Sequence, residues 1–376
     1  MNTRAALFTG DAELEVRDVE LAPLGARDVI VRMQAVGVCG SDLHVVKGEW
    51  PRPTPMVLGH EGAGVVEQIG AEVSDLVVGQ RVIAIWAPSC GECVPCRRAT
   101  PTACVEARAA IGRGEMLDGR TGYSIDGGPV YRMTTVGAFA ERVLLPASSL
   151  VPLPDAVEIE HAALLGCASL TGVGAVENAA QVGTGDTVLV VGAGGVGLFA
   201  VQGARISGAR EILVVDPNLE RLELASALGA TAVGVPDAVD DLVAERVPGG
   251  VDHAIEAVGH AETVQLAIDA THPGGRIALV GLPRAGARLD LDGFGLVAQQ
   301  KTLIGSMSGS RDPRAQLGHL LGLVAAGELE LAPLLGESYS LERINDAVRA
   351  SLAGAPGRVI VRPGLEAKPT DEGRPL

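Results

Sequence analysis

Cys90, Cys93, Cys96 and Cys104 fall within fifteen residues, spaced C-x2-C-x2-C-x7-C, and they constrain this chain more than any other feature. Four thiolates that close in sequence complete a tetrahedral shell around one zinc ion, and such a shell is structural because no position stays open. The metal then contributes folding free energy to the segment that holds it. Pro88, Gly91, Pro95 and Pro101 surround the cluster, so it is expected as a lobe of loop, at about residues 88–106, carried outside the core. Buried free thiols or a redox pair would be the competing reading, and a C-x-x-C-x-x-C run in a polar loop argues against both. Only Cys39 and Cys167 remain. With a histidine they suffice for a second site that stays open for chemistry.

At 376 residues the chain exceeds one ordinary core, so two domains are expected. Apolar residues make up 47%, ample for globular packing, while aromatics are only 2%, so any aromatic near a candidate site carries weight. The formal net charge of -16 argues against nucleic acid and anionic membranes as partners, because both need basic patches. Met1–Arg4 leads into alternating residues instead of an apolar signal core, and no signal peptide is expected. No run of about 18 uncharged apolar residues occurs, so no membrane span is expected either. Six cysteines are too sparse for a disulfide scaffold and too clustered for chance, which suits metal binding in a reducing, cytoplasmic setting.

Short alternating runs such as Val29–Met33, Gly64–Ile69 and Arg81–Ile85 predict an antiparallel, β-rich region up to about residue 155. From about 169 to 305 the pattern changes to strands alternating with helices. Thr187–Val191 is a continuous apolar strand, a helix follows from Val196 to about Ser207, and Ile212–Val215 is the next strand, with a helix through Leu228. Further strands are expected near 231–235, 251–256, 276–281 and 302–307. Buried strands alternating with helices indicate an α/β fold with a doubly wound parallel sheet. A helix at 314–326, a short one after Ser340 and the strand Arg358–Val361 are too little for a domain, and are expected to return to the β-rich region. Gly364–Leu376 reads as a tail without fold.

Gly192-Ala193-Gly194-Gly195-Val196-Gly197 matches G-x-G-x-x-G, directly after a buried strand and at the start of a helix. In that position the glycines permit a tight turn and let backbone amides approach a pyrophosphate at the helix N-terminus. Asp216 ends the second strand, where an acidic residue meets the adenosine ribose hydroxyls and repels a 2′-phosphate; NAD is therefore expected over NADP.

Gly37-Val38-Cys39-Gly40-Ser41-Asp42-Leu43-His44 precedes Leu58-Gly59-His60-Glu61-Gly62-Ala63-Gly64, and Gly166-Cys167-Ala168-Ser169-Leu170-Thr171-Gly172 follows much later. Spacing alone does not tell ligands from packing residues here. Together, however, the C-G-S-D-x-H, G-H-E-G-x-G, four-cysteine, G-C-x-x-x-T-G and G-x-G-G-x-G runs resemble, in order and spacing, the zinc-dependent medium-chain alcohol dehydrogenases. The resemblance extends from Gly37 through Arg358. It implies a GroES-like catalytic domain, residues 1–168 and 306–376, beside a Rossmann NAD-binding domain, 169–305. It also implies Cys39, His60 and Cys167 as catalytic zinc ligands, Cys2His being the known ligand set of alcohol dehydrogenases. Zinc as a Lewis acid lets a bound alcohol lose its proton before its carbinol hydride passes to the nicotinamide. The resemblance assigns Ser41 as first proton acceptor and His44 as the relay to solvent through the cofactor ribose. Asp42 would orient His60 and Glu61 would contact zinc transiently. Arg221 would lie near the adenosine phosphate side and Arg358 near the pyrophosphate. Gly40 departs from many animal members, which carry a basic residue there.

By the same resemblance Trp50, Trp86, Met133 and Phe139 line the substrate pocket, and Ser41 leaves room beside the zinc. A primary alcohol with a bulky or aromatic tail is the expected substrate. Gly112–Gly119 and Arg108 resemble instead the thiol-dependent formaldehyde dehydrogenase branch, from which Trp86 and Gly40 depart. A catalytically inactive NAD(H)-binding member is a third reading, against which the intact ligand set argues. A homodimer or tetramer is expected. His161, His253, His260, His272 and His319 match no motif and are read as structural or surface residues.

Overall fold

A computed structural model describes residues 1–364; the remainder of the expected tail, 365–376, lies outside the described residues. Three β-sheets organise the described residues. The first closes into a barrel in the order Asn2–Phe8, Glu15–Leu21, Tyr123–Ile125, Gly128–Arg132 and Met56–Val57. The second runs Leu150–Pro152, Arg81–Ala84, Glu61–Ile69, Asp28–Gly37, Arg358–Arg362 and Leu335–Ser340, with Arg142–Pro146 also paired to Asp28–Gly37. Most of these pairings are antiparallel, as the alternating sequence requires. The C-terminal strand does return: Ile360 and Val361 pair with Gly37 and Val36. That pairing brings Arg358 beside the segment that carries Cys39.

The third sheet is six-stranded and parallel, ordered Ala232–Gly234, Glu211–Val215, Thr187–Val191, Val251–Glu256, Thr271–Leu279 and Thr302–Gly305. Its order reverses direction at Thr187–Val191, and ligands of such sheets bind outside the carboxyl ends of the strands at this switch point. Every residue of Thr187–Val191 is buried, which explains its continuous apolar run. The helix Gly195–Ile206 follows after a turn in which Gly192 takes φ +93°. A Cβ at Gly197 would collide with the Gly192 carbonyl, so the helix can approach the strand this closely only with glycine there.

Sequence reasoning did not foresee the helical run from Ile159 to Ala180. It is long and apolar enough to cross a membrane by length and composition, but 83% of its most apolar window is buried inside the protein. It serves as a core helix against Gly195–Ile206, and it passes through residues 168 and 169, where the change in texture suggested a domain boundary. Two stretches of it, Leu165–Ser169 and Ala175–Ala180, are π-helical, and the Ser169 amide reaches back five residues to the Leu164 carbonyl at 3.1 Å. Such π turns concentrate at functional sites.

Candidate active site

Cys39, His60 and Cys167 come from three unrelated elements and meet in the interior. Cys39 caps the helix Gly40–Val46, His60 directly precedes the strand Glu61–Ile69, and Cys167 sits in the first π turn. Asp42, almost fully buried, ties the first two together. Its Oδ2 accepts from the Cys39 amide at 3.0 Å, and its Oδ1 accepts from the Gly59 amide at 2.9 Å and lies 3.3 Å from His60 Nδ1. A carboxylate on Nδ1 leaves Nε2 free to face inward, where Cys167 Sγ lies 3.6 Å away. Zinc at about 2.3 Å from sulfur and about 2.0–2.1 Å from nitrogen, in tetrahedral array, requires a separation of about 3.5 Å. The donor atoms of Cys39, His60, Glu61 and Cys167 all lie within 4.8 Å of one another, so the set fits the ion.

Electrostatics favour that use at Cys39 alone: a zinc ligand must shed its proton, and His60 and Cys167 are both held above their usual values. Burial pushes the His60 imidazole down, but Asp42 and Cys39 outweigh it and hold the group well above its usual value. Hydrogen bonding from Cys167 holds the Cys39 thiol well below the usual thiol range, so one of the pair is readily a thiolate. Burial pushes Glu61 up to about 8, partly opposed by Arg358. Arg358 Nε is 3.1 Å from Glu61 Oε2, yet neither Glu61 oxygen nor Nε has a hydrogen-bond partner among the described residues. Buried carboxylate oxygens without partners, beside three metal donors, are what a transient metal contact would relieve.

The four-cysteine cluster is less of a bare loop than its prolines and glycine suggested. Val94–Arg97, Pro101–Ala103 and Val105–Arg113 are short helices, and Cys104 is fully buried as the cap of the last, accepting from the Ala107 amide at 3.4 Å. Sulfur separations of 3.4 Å for Cys93–Cys96, 3.9 Å for Cys93–Cys104 and 4.0 Å for Cys90–Cys96 bracket the about 3.8 Å edge of a zinc–thiolate tetrahedron. Backbone contacts at Cys96 and Val105 pull the Cys93 thiol down to about 6.

A cleft of about 700 Å³ is walled by Cys39, His60 and Cys167 and also by Gly194, Gly195 and Val196. Ser41, His44, Trp50, Trp86, Met133, Arg108, Arg221 and Arg358 line it too. Trp86 stands edge-on to His60, ring centroids 6.1 Å apart, with its indole nitrogen buried and without a hydrogen-bond partner among the described residues. Arg358 passes directly over the glycine loop: a Cβ at Gly195 would lie 2.8 Å from its Nη2, and its Nη1 donates to the Val38 carbonyl at 3.1 Å.

Two expected residues are placed differently. Phe139 does not line the cleft; it is fully buried against Gly59, whose absent Cβ would fall 2.8 Å from the ring. Asp216 does not line it either. Its Oδ2 accepts from the Ala193 amide at 2.7 Å and its Oδ1 from the Asn218 amide at 2.8 Å, so it anchors the glycine loop. Asp42 and Glu61 lie behind the wall, not in it. Residues that motifs alone missed also contribute. Arg52 lines the cleft, and burial lowers its guanidinium. Ala257, Val258, Val280 and Ser306–Ser308 follow the carboxyl ends of parallel strands, and the crevice rule for such sheets could have found them. The unmatched histidines His253, His272 and His319 pair with Asp186, Asp252 and Glu177, away from the cleft.

The model of the Alcohol dehydrogenase GroES-like domain matches residues 25–155, and that of the Zinc-binding dehydrogenase matches 195–325. The chain is 35% identical over 354 residues to S-(hydroxymethyl)glutathione dehydrogenase of Synechocystis sp., covering 92% of this chain and 96% of that protein. Benzyl alcohol dehydrogenase from Acinetobacter calcoaceticus superimposes with a TM-score of 0.90 at 32% identity, covering 96% of this chain and 99% of the other. The alcohol dehydrogenase TADH from Thermus sp. ATN1 does so with a TM-score of 0.80 at 30% identity, covering 96% and 99%.

Proposed function

The chain belongs to the zinc-dependent medium-chain alcohol dehydrogenase family, with zinc and NAD as cofactors, and we propose that it moves hydride between bulky or aromatic primary alcohols, or the matching aldehydes, and NAD. The observation that carries this reading is the single cleft shared by a three-residue metal-donor set and a dinucleotide loop. In it, Cys39, His60 and Cys167 would hold catalytic zinc, oriented by Asp42 and backed by Glu61; apart from it, Cys90, Cys93, Cys96 and Cys104 would hold structural zinc. Zinc in the three-ligand site supplies a Lewis acid beside the substrate hydroxyl.

The chain's own residues do the rest. Ser41, two residues beyond Cys39, accepts the hydroxyl proton, and His44, one helical turn on, carries it to solvent. Amides of the glycine loop and the guanidinium groups of Arg358 and Arg221 bind the dinucleotide phosphates. Trp86, Trp50 and Met133 offer apolar walls to a planar tail. A helix-borne pair of exposed apolar residues, Phe294 at 83% and Val297 at 78% exposure, precedes in sequence the edge strand Thr302–Gly305, whose outer side has no partner strand among the described residues, and suits a second copy of the chain. A homodimer, or a tetramer built from it, is the proposed assembly.

A second reading, oxidation of a thiol–formaldehyde adduct, is favoured by one observation: Arg52 and Arg108 both line the cleft, where they would suit an anionic thiol. A panel of benzyl, long-chain and short alcohols, with and without formaldehyde plus low-molecular-weight thiols, separates the two. The highest kcat/KM is expected on benzyl or long-chain alcohols, and Trp86→Ala should admit secondary alcohols. A far higher value on the adduct, lost in Arg108→Ala, would replace the first reading with the second.

A further inference from the structure

The helix Gly40–Val46 ends in a turn that folds back on itself. The amides of Glu49 and Trp50 both donate to the His44 carbonyl, at 2.9 and 3.2 Å. That turn sets two side chains against the His44 ring. The Glu49 carboxylate forms a hydrogen bond with Nδ1. The Trp50 indole stacks on the imidazole, centroids 4.5 Å apart and planes 14° from parallel. Trp50 is itself fixed, because its Nε1 donates to the Pro283 carbonyl at 2.9 Å, and the Ala285 amide donates to the Glu49 carbonyl at 3.1 Å. Two hydrogen bonds thus latch this turn to the loop after the strand Thr271–Leu279, across the cleft.

We propose that Glu49 is a positioning residue of the proton relay: it fixes His44 as the Nδ1–H tautomer and is the group through which the proton leaves for water. The inference rests on the relay reading of His44 above. An ionised carboxylate only accepts, so the ring nitrogen facing it must carry the proton, and Nε2 is left with a lone pair. The stacked indole keeps the ring from turning over. A proton taken up on Nε2 is matched by departure of the Nδ1 proton to the Glu49 carboxylate, which passes it to bulk water; no electrons move. The side chains of His44 and Glu49 are 25% and 35% exposed, so the last step has solvent at hand. The ring, then protonated on Nε2, resets by exchange with water when the cleft empties. A carboxylate that orients a histidine base serves the same end in hydrolytic triads.

The test uses full-length, zinc-loaded protein labelled with 15N-histidine. Long-range proton–nitrogen correlation reads the His44 tautomer, with the signal identified by its loss in His44→Gln. Glu49→Gln keeps shape and folding but can donate or accept, so it no longer dictates the tautomer. Wild type should show Nδ1–H and Glu49→Gln a mixture. Single-turnover NADH formation in Glu49→Gln should fall about ten-fold at unchanged KM and recover with added imidazole. A role in packing alone would leave Glu49→Gln like wild type. A wild-type proton on Nε2, or unchanged tautomer and rate in Glu49→Gln while His44→Gln is slow, overturns the inference. An unimpaired His44→Gln would instead remove the relay reading, and the tautomer would still decide whether Glu49 positions the ring.

Discussion

Replacing Asp216 should change cofactor choice and loop stability by separable amounts. Its carboxylate accepts two backbone amides, Ala193 at 2.7 Å and Asn218 at 2.8 Å. Each hydrogen bond to a charged group contributes about 1.5–3 kcal/mol. Asp216→Gly removes both and loosens the turn before Gly195–Ile206, so it should weaken NAD and NADP alike. Asp216→Asn keeps one acceptor, losing the charge and one of the two backbone hydrogen bonds. The charge term is estimated from Coulomb's law: two unit charges about 5 Å apart at an effective dielectric of about 20 repel by about 3 kcal/mol, or roughly a hundred-fold. Steady-state kcat/KM for both cofactors, with a thermal melt for each variant, separates the two effects. The NADP/NAD ratio should rise by about two orders of magnitude in both variants, whereas the melting temperature should fall further in Asp216→Gly. Equal use of NAD and NADP by the wild type, or an unchanged ratio in Asp216→Asn, would refute the reasoning and leave Asp216 as a loop anchor alone.

Ser41→Ala should lower turnover by about 10²–10⁴-fold, because it removes the direct proton acceptor; a variant within a few-fold of wild type in single-turnover assays would exclude the relay. The pair His272–Asp252, Nε2 to Oδ1 at 2.9 Å, should give stability a pH signature. Asp252 raises the His272 imidazole, so that contribution is full below about 6.5 and fades as pH rises through the raised value. Burial pushes Asp252 up, but Thr187 and His272 outweigh it and hold the carboxyl at about 2, so its share fades only as pH falls from about 4 toward 2. Both groups are largely solvated, and the effect should stay below about 1 kcal/mol. Urea midpoints of His272→Gln and wild type should therefore differ more at pH 6 than at pH 9, and a constant gap would contradict this.

What the sequence revealed follows the range of the interactions involved. The four-cysteine cluster and the glycine loop are local, so their spacing alone carries the chemistry. Thr187–Val191 is buried on both faces, and its unbroken apolar run says so. Cys39, His60 and Cys167 are linked in the sequence only by resemblance, because a helix cap, the residue before a strand and a π-helical segment bring them together and no periodicity encodes that. Asp42 and Asp216 stand out in the sequence as acids beside their motifs, yet their backbone hydrogen bonds emerge only from the tertiary turn geometry. Phe139 illustrates the converse: an aromatic near the motif strands packs inward because Gly59 leaves a space that its ring fills. Glu49 carried no motif signal at all, since a turn glutamate is ordinary until the chain folds back onto His44.

Zinc content of wild type and of Cys39→Ala, measured by elemental analysis on the same folded preparations with NAD-linked alcohol oxidation alongside, tests the two-site assignment most directly. Two zinc ions per wild-type chain are expected, and about one in a Cys39→Ala protein that stays folded and loses turnover, while Cys96→Ala should unfold or aggregate. Full metal and full activity in Cys39→Ala would contradict the assignment of the open site.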